Sequence, residues 1–537
     1  MQLQKKNSTF AVHTFGSTPQ NSFVTTQTLA PNQVYEFLDL GYLNLELQDA
    51  ALGTGFAKRM SARAREAYNK YDRETVHGHR LRHIADETVN GMPDVNRLLA
   101  SRELNGALTS LLGENFYRYR HSFIHRADRY DQSFHKDSPL PWGTKGGIRS
   151  HKLEWAMVFY YPQDTTLELG PTEILPGSQY WNVDRLGTDN MRGEDRLGLD
   201  FEGKNVGSSP DLVLRDRHLT SQWRSLDPHT QPVKLEVSAG SLVLIHFDLF
   251  HRATRMSCDG ERYMFKFWYT RTSEPTNKLD PNVDSYRCKD ARRQPIVSAI
   301  GSWMNLAGYS AQSQRGRGPL PPSSQVEGEP QRLCNAYLKA EQNNHQLVDE
   351  VCSGIESVRR AATYALASQP KLAQEAAVRL VPSNDLYERQ CGAFLVGECC
   401  PIDDPMVNRL TELVGDQEPD VSRAAIIALG RVKRRQTHPM GKPAHDKLVE
   451  GLLKVLQPDN FDPSQRQLAC LSLLSYASHM QNPLTPNQIS RLERAANTET
   501  NNYARSTCNE VLLRAARTRN FLDHSIQTKR RTIKHHQ

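Results

Sequence analysis

No CxxC pair occurs in this 537-residue chain, and none of its nine cysteines lies before Cys258. A disulfide framework is therefore not expected, and the pattern fits reduced, mostly buried thiols in a cytoplasmic protein. No apolar run reaches the roughly 18 residues that span a bilayer. The opening stretch MQLQKKNSTFAVHTFG has no apolar core behind its lysines, so no signal peptide is expected. Charge of one sign is also scarce: 67 Lys and Arg against 60 Asp and Glu leave only +7. That balance permits an anionic substrate or a nucleic acid but argues for neither.

What is present is the composition of a globular protein, 38% apolar and 24% charged. The length calls for more than one core, since domains run to about 100–200 residues. Before residue 275 the chain mixes helical and strand-like segments. LAPNQVYEFLDLGYLNLEL (29–47) reads as a helix followed by a strand. FYRYRHSFIH (116–125), LEWAMVFYY (153–161), SLVLIHF (241–247) and RYMFKFWYTRT (262–272) are rich in aromatic and β-branched residues, as strands are. Strands separated by long loops predict a sandwich or barrel with helices on one side. IVSAIGSWMNLAG (296–308) reads as a closing helix, and SQRGRGPLPPSSQVEGEP as a linker.

After residue 345 the pattern becomes repetitive. SVRRAATYALASQ, LYERQCGAFLVGE, VSRAAIIALGRV, RQLACLSLLSYAS and NYARSTCNEVLL each carry an arginine near the start, then small and aliphatic residues at helical spacing. Arg360, Arg389, Arg423, Arg466 and Arg505 recur at intervals of 29, 34, 43 and 39 residues, with further helical segments between them. Paired helices at such a period predict an α-solenoid of HEAT-like repeats. The recurring arginine is expected to make structural contacts between repeats. The expected organisation is an extension over 1–24, a sheet-rich domain over 25–312, a linker over 313–344, the solenoid over 345–516 and a basic, frayed tail over 517–537.

Chemistry concentrates around FHKDS. His135 and Asp137 form an HxD pair, which alone is common by chance. A mononuclear iron site needs two imidazoles and a carboxylate on one side, with the other side open to a co-substrate and O2. AGSLVLIHFDLFHRAT supplies a distant histidine, His251, at the end of a buried strand. Eleven residues on, Arg262 opens the next strand, where its fork of donors suits the distal end of a dicarboxylate. His246 is read as packing or as facing the substrate, and the HGH at 77–79 as part of an exposed face.

With LAPNQVYEFLDLGYLNL, FHKDS, LEWAMVFYYPQDTTLELGPTEILPGSQYW, AGSLVLIHFDLFH and ERYMFKFWY in this order, residues 25–275 resemble the phytanoyl-CoA dioxygenase family of Fe(II)/2-oxoglutarate oxygenases. The resemblance implies a double-stranded β-helix, or jelly roll, with flanking helices ahead of the all-α solenoid. It implies that His135, Asp137 and His251 bind iron and that Arg262 binds the C5 carboxylate of 2-oxoglutarate. Trp155 would line the co-substrate pocket, and Tyr117 is a second candidate there. The family often has Ser or Thr two residues after the distal histidine. This chain has Ala253, and Thr254 is the candidate to supply that contact; PGSH has become PGSQ at Gln179. Related halogenases lack the carboxylate, so Asp137 implies hydroxylation or another oxidation, with 2-oxoglutarate and O2 consumed and succinate and CO2 released.

Specificity is expected in the polar insert over 182–235, placed to act as a lid, and in SPLPWGTKGGIRSHK, where Lys145 and Arg149 would meet an anionic group. The first expectation is a small-molecule substrate, with the solenoid supporting the site or docking a protein or carrier protein. The alternatives are an oxygenase that modifies a protein or nucleic acid gripped by the solenoid, nucleic acid being the less favoured, and a binding scaffold without turnover.

Overall fold

The structure, a computed structural model, describes residues 28–45, 47, 52–74, 83–127, 131–137, 149–182, 197, 211–275, 286–304, 329–398, 404–434, 442–478, 480 and 482–534. The HGH at 77–79, half of the insert, Lys145 and the first half of the linker lie outside them.

The strands are β1 (Tyr42–Leu45), β2 (His83–Ala85), β3 (Tyr117–Arg126), β4 (Trp155–Tyr161), β5 (Thr172–Ile174), β6 (Val233–Lys234), β7 (Ser241–His246), β8 (His251–Ala253) and β9 (Tyr263–Thr270). They form a six-stranded sheet in the order β1-β7-β4-β9-β3-β2 and a smaller one, β6-β5-β8, with every pairing antiparallel. This is the jelly roll expected from the sequence.

The period-two alternation divides the large sheet into two faces. Ala156, Val158, Tyr160, Phe265 and Phe267 point outward, to helices. Those helices are α1 (Pro31–Leu40), α2 (Thr54–Glu74), α3 (Glu87–Asn90), α4 (Pro93–Leu99) and α5 (Arg102–Leu112). Phe56 of α2 meets Tyr160 edge-on, and Tyr68 of α2 stacks on Tyr263. Gly41 ends α1 with φ +81, and a Cβ there would meet Gln179 and Leu249 at 2.6 Å, so only glycine fits this corner. Met157, Phe159, Lys266 and Trp268 occupy the opposite face, toward the small sheet.

Of the insert, α6 (Leu212–Leu226) is described. Its Trp223 joins Phe134, Leu175, Trp181 and Phe250 in a separate apolar cluster. The lid expectation otherwise falls on residues outside those described.

The rest of the chain is helical: α7 (Gln294–Trp303), α8 (Glu329–Glu341), α9 (Gln346–Glu350), α10 (Glu356–Leu366), α11 (Pro370–Leu380), α12 (Leu386–Glu398), α13 (Asp404–Leu413), α14 (Pro419–Arg434), α15 (Lys442–Val455), α16 (Pro463–Ala477), α17 (Pro486–Thr498) and α18 (Asn502–Lys534). The second helices of the repeats, α12, α14, α16 and α18, stack in sequence, as an all-α solenoid requires. Small residues permit the close approach: a Cβ on Gly397 would meet Ala428 at 2.8 Å, and one on Gly430 would meet Ser472 at 2.7 Å. The recurring arginines join successive repeats. Arg389 reaches Asp416 with two donors at 2.8 and 3.1 Å, Arg423 reaches Asp462 at 2.8 Å, and Arg466 reaches Glu499 at 2.7 and 3.1 Å. Arg360 and Arg505 depart from the pattern: Arg360 pairs with Glu356 of its own helix, and Arg505 donates to Asn502 of its own helix and to Glu499 O just before it. The basic tail departs too: α18 carries it as helix to Lys534, consistent with the helix propensity of Arg and Lys.

The solenoid packs on the sheet region through these same second helices. His151 stacks on Tyr364 of α10, Lys152 pairs with Glu398 of α12 at 3.0 Å, and Arg434 of α14 pairs with Glu154 at 2.5 Å. Gln467 of α16 donates to the Tyr119 hydroxyl, and Tyr503 of α18 stacks on the Tyr119 ring. Burial works against the Glu398 carboxylate, but Arg431 and Lys152 more than offset it and hold its pKa down.

Candidate metal centre

The chain leaves the large sheet at His246, turns, and enters the small sheet at His251. His251 therefore opens β8, where the sequence reading ended the preceding strand with it. There it pairs with the segment 131–137: His135 N–H donates to His251 O at 3.0 Å, and His251 N–H donates back to His135 O at 3.1 Å. This bridge brings together two histidines 116 residues apart. Asp137, two residues on from His135, joins them by strand alternation.

The ligand atoms of His135, Asp137 and His251 all lie within 4.8 Å of one another, which is close enough to share one ion. Nδ1 of His135 lies 2.9 Å from Ser133 O, and Nδ1 of His251 lies 3.0 Å from Leu249 O. Each Nδ1–H is thus committed to a carbonyl, which fixes the tautomer and turns the Nε2 lone pair toward Asp137, at 3.9 and 3.6 Å. Arg149, expected to meet an anionic group of the substrate, donates to Asp137 O at 2.9 Å and pairs with Asp248.

Burial pushes His251 well below the ordinary imidazole pKa, and Lys266 adds to the effect, so it is a neutral donor. Burial opposes ionisation of Asp137. The ammonium of Lys266 and the two histidines outweigh it, and the carboxylate is held far below its usual range. Two imidazoles and one carboxylate are a donor set that suits Fe(II).

Arg262, just before β9, is 1% exposed and donates through Nη2 to Gly170 O. Gly170, at φ +66, lies so close to Thr254 O that a Cβ would approach it to 2.5 Å, which explains how its carbonyl reaches the arginine. Arg262 Nε is buried without a hydrogen-bond partner, and among the described residues the guanidinium has no carboxylate. Burial lowers its pKa, with Tyr161 and Tyr68 opposing. A buried cation with spare donors fits the distal carboxylate of 2-oxoglutarate.

The other candidates lie farther off. Trp155 is on the inner face, in ring contact with Tyr119 and Phe247. Tyr117 has its hydroxyl 3.3 Å from Thr507 of α18, at the solenoid contact. Thr254 donates to Pro171 O at 2.6 Å and lines a cleft of about 380 Å³ beside α6, together with Arg252 and Arg255. His246 is on the outer face against Phe37.

Sequence reasoning missed Lys266. Its ammonium donates to Asp137 Oδ2 and lies 3.2 Å from His251 Nε2. The signal was present: a single charge at an inward position of an otherwise apolar strand, four residues past Arg262.

Residues 41–264 match the family described as Phytanoyl-CoA dioxygenase (PhyH). Solved structures similar to this chain include three of low identity. The non-heme alpha ketoglutarate dependent carbocyclase SnoK from nogalamycin biosynthesis is 16% identical over 47% of this chain and 87% of its own, TM-score 0.32. HygX from Streptomyces hygroscopicus, with nickel and 2-oxoglutarate bound, is 17% identical over 49% and 95%, TM-score 0.32. EctD from S. alaskensis with bound Fe is 16% identical over 48% and 82%, TM-score 0.32. None of these likenesses is close enough to carry the function by itself. A search of curated proteins gives no match. The sheet region is a phytanoyl-CoA dioxygenase family domain, and the chain is an enzyme of the Fe(II)/2-oxoglutarate-dependent oxygenase class, which uses iron, 2-oxoglutarate and O2.

Proposed function

We propose that His135, Asp137 and His251 hold the ferrous ion, that Arg262 takes the C5 carboxylate of 2-oxoglutarate, and that the enzyme oxidises an unactivated C–H bond of a small molecule. The observation that carries this reading is the pairing of a three-ligand cluster with a buried guanidinium whose Nε has no partner among the described residues. Bound iron with 2-oxoglutarate and O2 supplies the oxidant, with succinate and CO2 released. The protein positions and shields. The two backbone-tied histidines and Asp137 fix one side of the ion. Arg262 orients the co-substrate, and Phe159, in ring contact with His251, keeps water from that side. On β9, Trp268 Nε1 is buried without a partner among the described residues and marks where a substrate acceptor would be held.

A small-molecule substrate is favoured over a macromolecule gripped by the solenoid. The side of the solenoid built from its second helices lies against the chain's own sheet region, through Tyr364, Glu398, Arg434, Gln467 and Tyr503. We read the solenoid as the support of this domain. Among the described residues no helix is long and apolar enough to cross a membrane.

Anaerobic addition of Fe(II) and 2-oxoglutarate tests the assignment through the visible charge-transfer absorption of the chelate. The band is expected in the wild type and lost in His135→Ala. A folded wild type that gives no band, and releases no succinate in air, overturns the proposal.

A further inference from the structure

Among the described residues, Lys266 is the one side chain at the triad for which the proposed chemistry has no use. It reaches in from β9, donates to Asp137 Oδ2 and stands 3.2 Å from His251 Nε2, so it touches two of the three ligand atoms. Those two atoms are 3.6 Å apart. An ion bound to both, at about 2.1 Å from each, falls in the gap that Nζ also fills. Two cations cannot share that gap. Around it, the rings of Phe159, Phe123 and Trp268 have centroids 5.2, 5.3 and 6.0 Å from Nζ. They offer the ammonium a second resting place, because the face of an aromatic ring attracts a cation.

We propose that Lys266 is an internal competitor for the metal seat: its ammonium sets how tightly the ion is held, and it moves onto the ring cluster when the ion enters. The inference rests on the reading of His135, Asp137 and His251 as ligands. Lys266 is thus a positioning residue whose role is to tune metal affinity. Its bond to Asp137 Oδ2 and a metal's bond to that same oxygen exclude each other, so an ion seated between Oδ2 and His251 Nε2 must displace a charge-assisted hydrogen bond in order to bind.

The test is Co(II) affinity of the metal-stripped full chain, followed by cobalt absorption and by the metal-induced rise in melting temperature. Lys266→Met is expected to bind roughly ten- to a hundredfold more tightly than the wild type, the cost of one charge-assisted hydrogen bond having been removed. Lys266→Gln is expected to fall between the two. Phe123→Leu keeps the lysine and removes one ring of its second seat, so it is expected to bind a few-fold more weakly; it also tests the idea should both Lys266 variants fail to fold. Equal or weaker affinity in a cooperatively melting Lys266→Met protein overturns the inference and leaves the iron assignment standing. Absence of binding in both folded wild type and folded Lys266→Met overturns the ligand assignment itself.

Discussion

Arg262 in the sheet region and Arg466 in the solenoid are both buried guanidinia, yet their donors end differently. Arg466 gives two donors to Glu499 and a third to Phe461 O at 2.6 Å. Arg262 gives one donor to Gly170 O, keeps a buried Nε without a partner, and meets no carboxylate among the described residues. The first arrangement closes on itself and holds two repeats together. The second is incomplete in the way a binding site is, because leaving a buried donor unpaired costs stability that a ligand restores. Burial of an arginine says little about its role; what matters is whether the protein supplies its acceptor.

The most disruptive way to break this comparison is to separate the regions. A chain ending at residue 328 would bare Tyr117, Tyr119 and His151, which the solenoid now covers. It is expected to be insoluble, and a soluble fragment with a cooperative melt would show that the sheet region stands alone.

Next in size come the two arginines themselves. Arg262→Met is expected to weaken 2-oxoglutarate binding roughly a hundredfold, as loss of a two-donor clamp on a carboxylate does. Its melting temperature should stay the same or rise, since a buried charge without a counter-ion is removed. Anaerobic titration and calorimetry read the two effects separately. Arg466→Met should do the reverse, costing about 2–4 kcal/mol of stability by stranding Glu499 while 2-oxoglutarate affinity holds. A large stability loss in the first or a large affinity loss in the second would erase the distinction.

Smaller effects follow from the solenoid's packing and its interface. Gly430→Ala places a methyl against Ser472 and should cost about 1–3 kcal/mol in a denaturant melt. The pH effect is smaller. Glu398 titrates lower in the folded protein than when unfolded, so the stability it brings is present above its unfolded value of 4.5 and lost as the pH falls below it. Glu398→Gln should therefore flatten the acid limb of a stability profile. A wild-type profile with the same limb would remove Glu398 from the interface account.

Much of the site was legible in the chain because its signals are local or ordered. HxD sets two candidate ligands on one side by strand alternation, and His251 and Arg262 stand eleven residues apart in the chain. Thr254 could not be placed from sequence. One residue past Ala253 the strand alternation turns it outward, where its hydroxyl is spent on Pro171 O. Tyr117 likewise met a partner, Thr507, that no reading of its own strand could supply. Lys266 was visible as an odd charge in an apolar strand, but its meaning depends on what it faces.

By itself the sequence determined the sheet-rich and repeat regions, the period-two faces of the strands and the arginine spacing of the solenoid. Each of these depends on near neighbours along the chain. Only the tertiary structure decided three further things: that His135 bridges to His251, that Lys266 stands between Asp137 and His251, and that the solenoid lies against the chain's own sheet. All three depend on register and docking between segments more than a hundred residues apart, and the second also on what β9 faces across the barrel. No local propensity encodes such choices; they are fixed when the whole core packs.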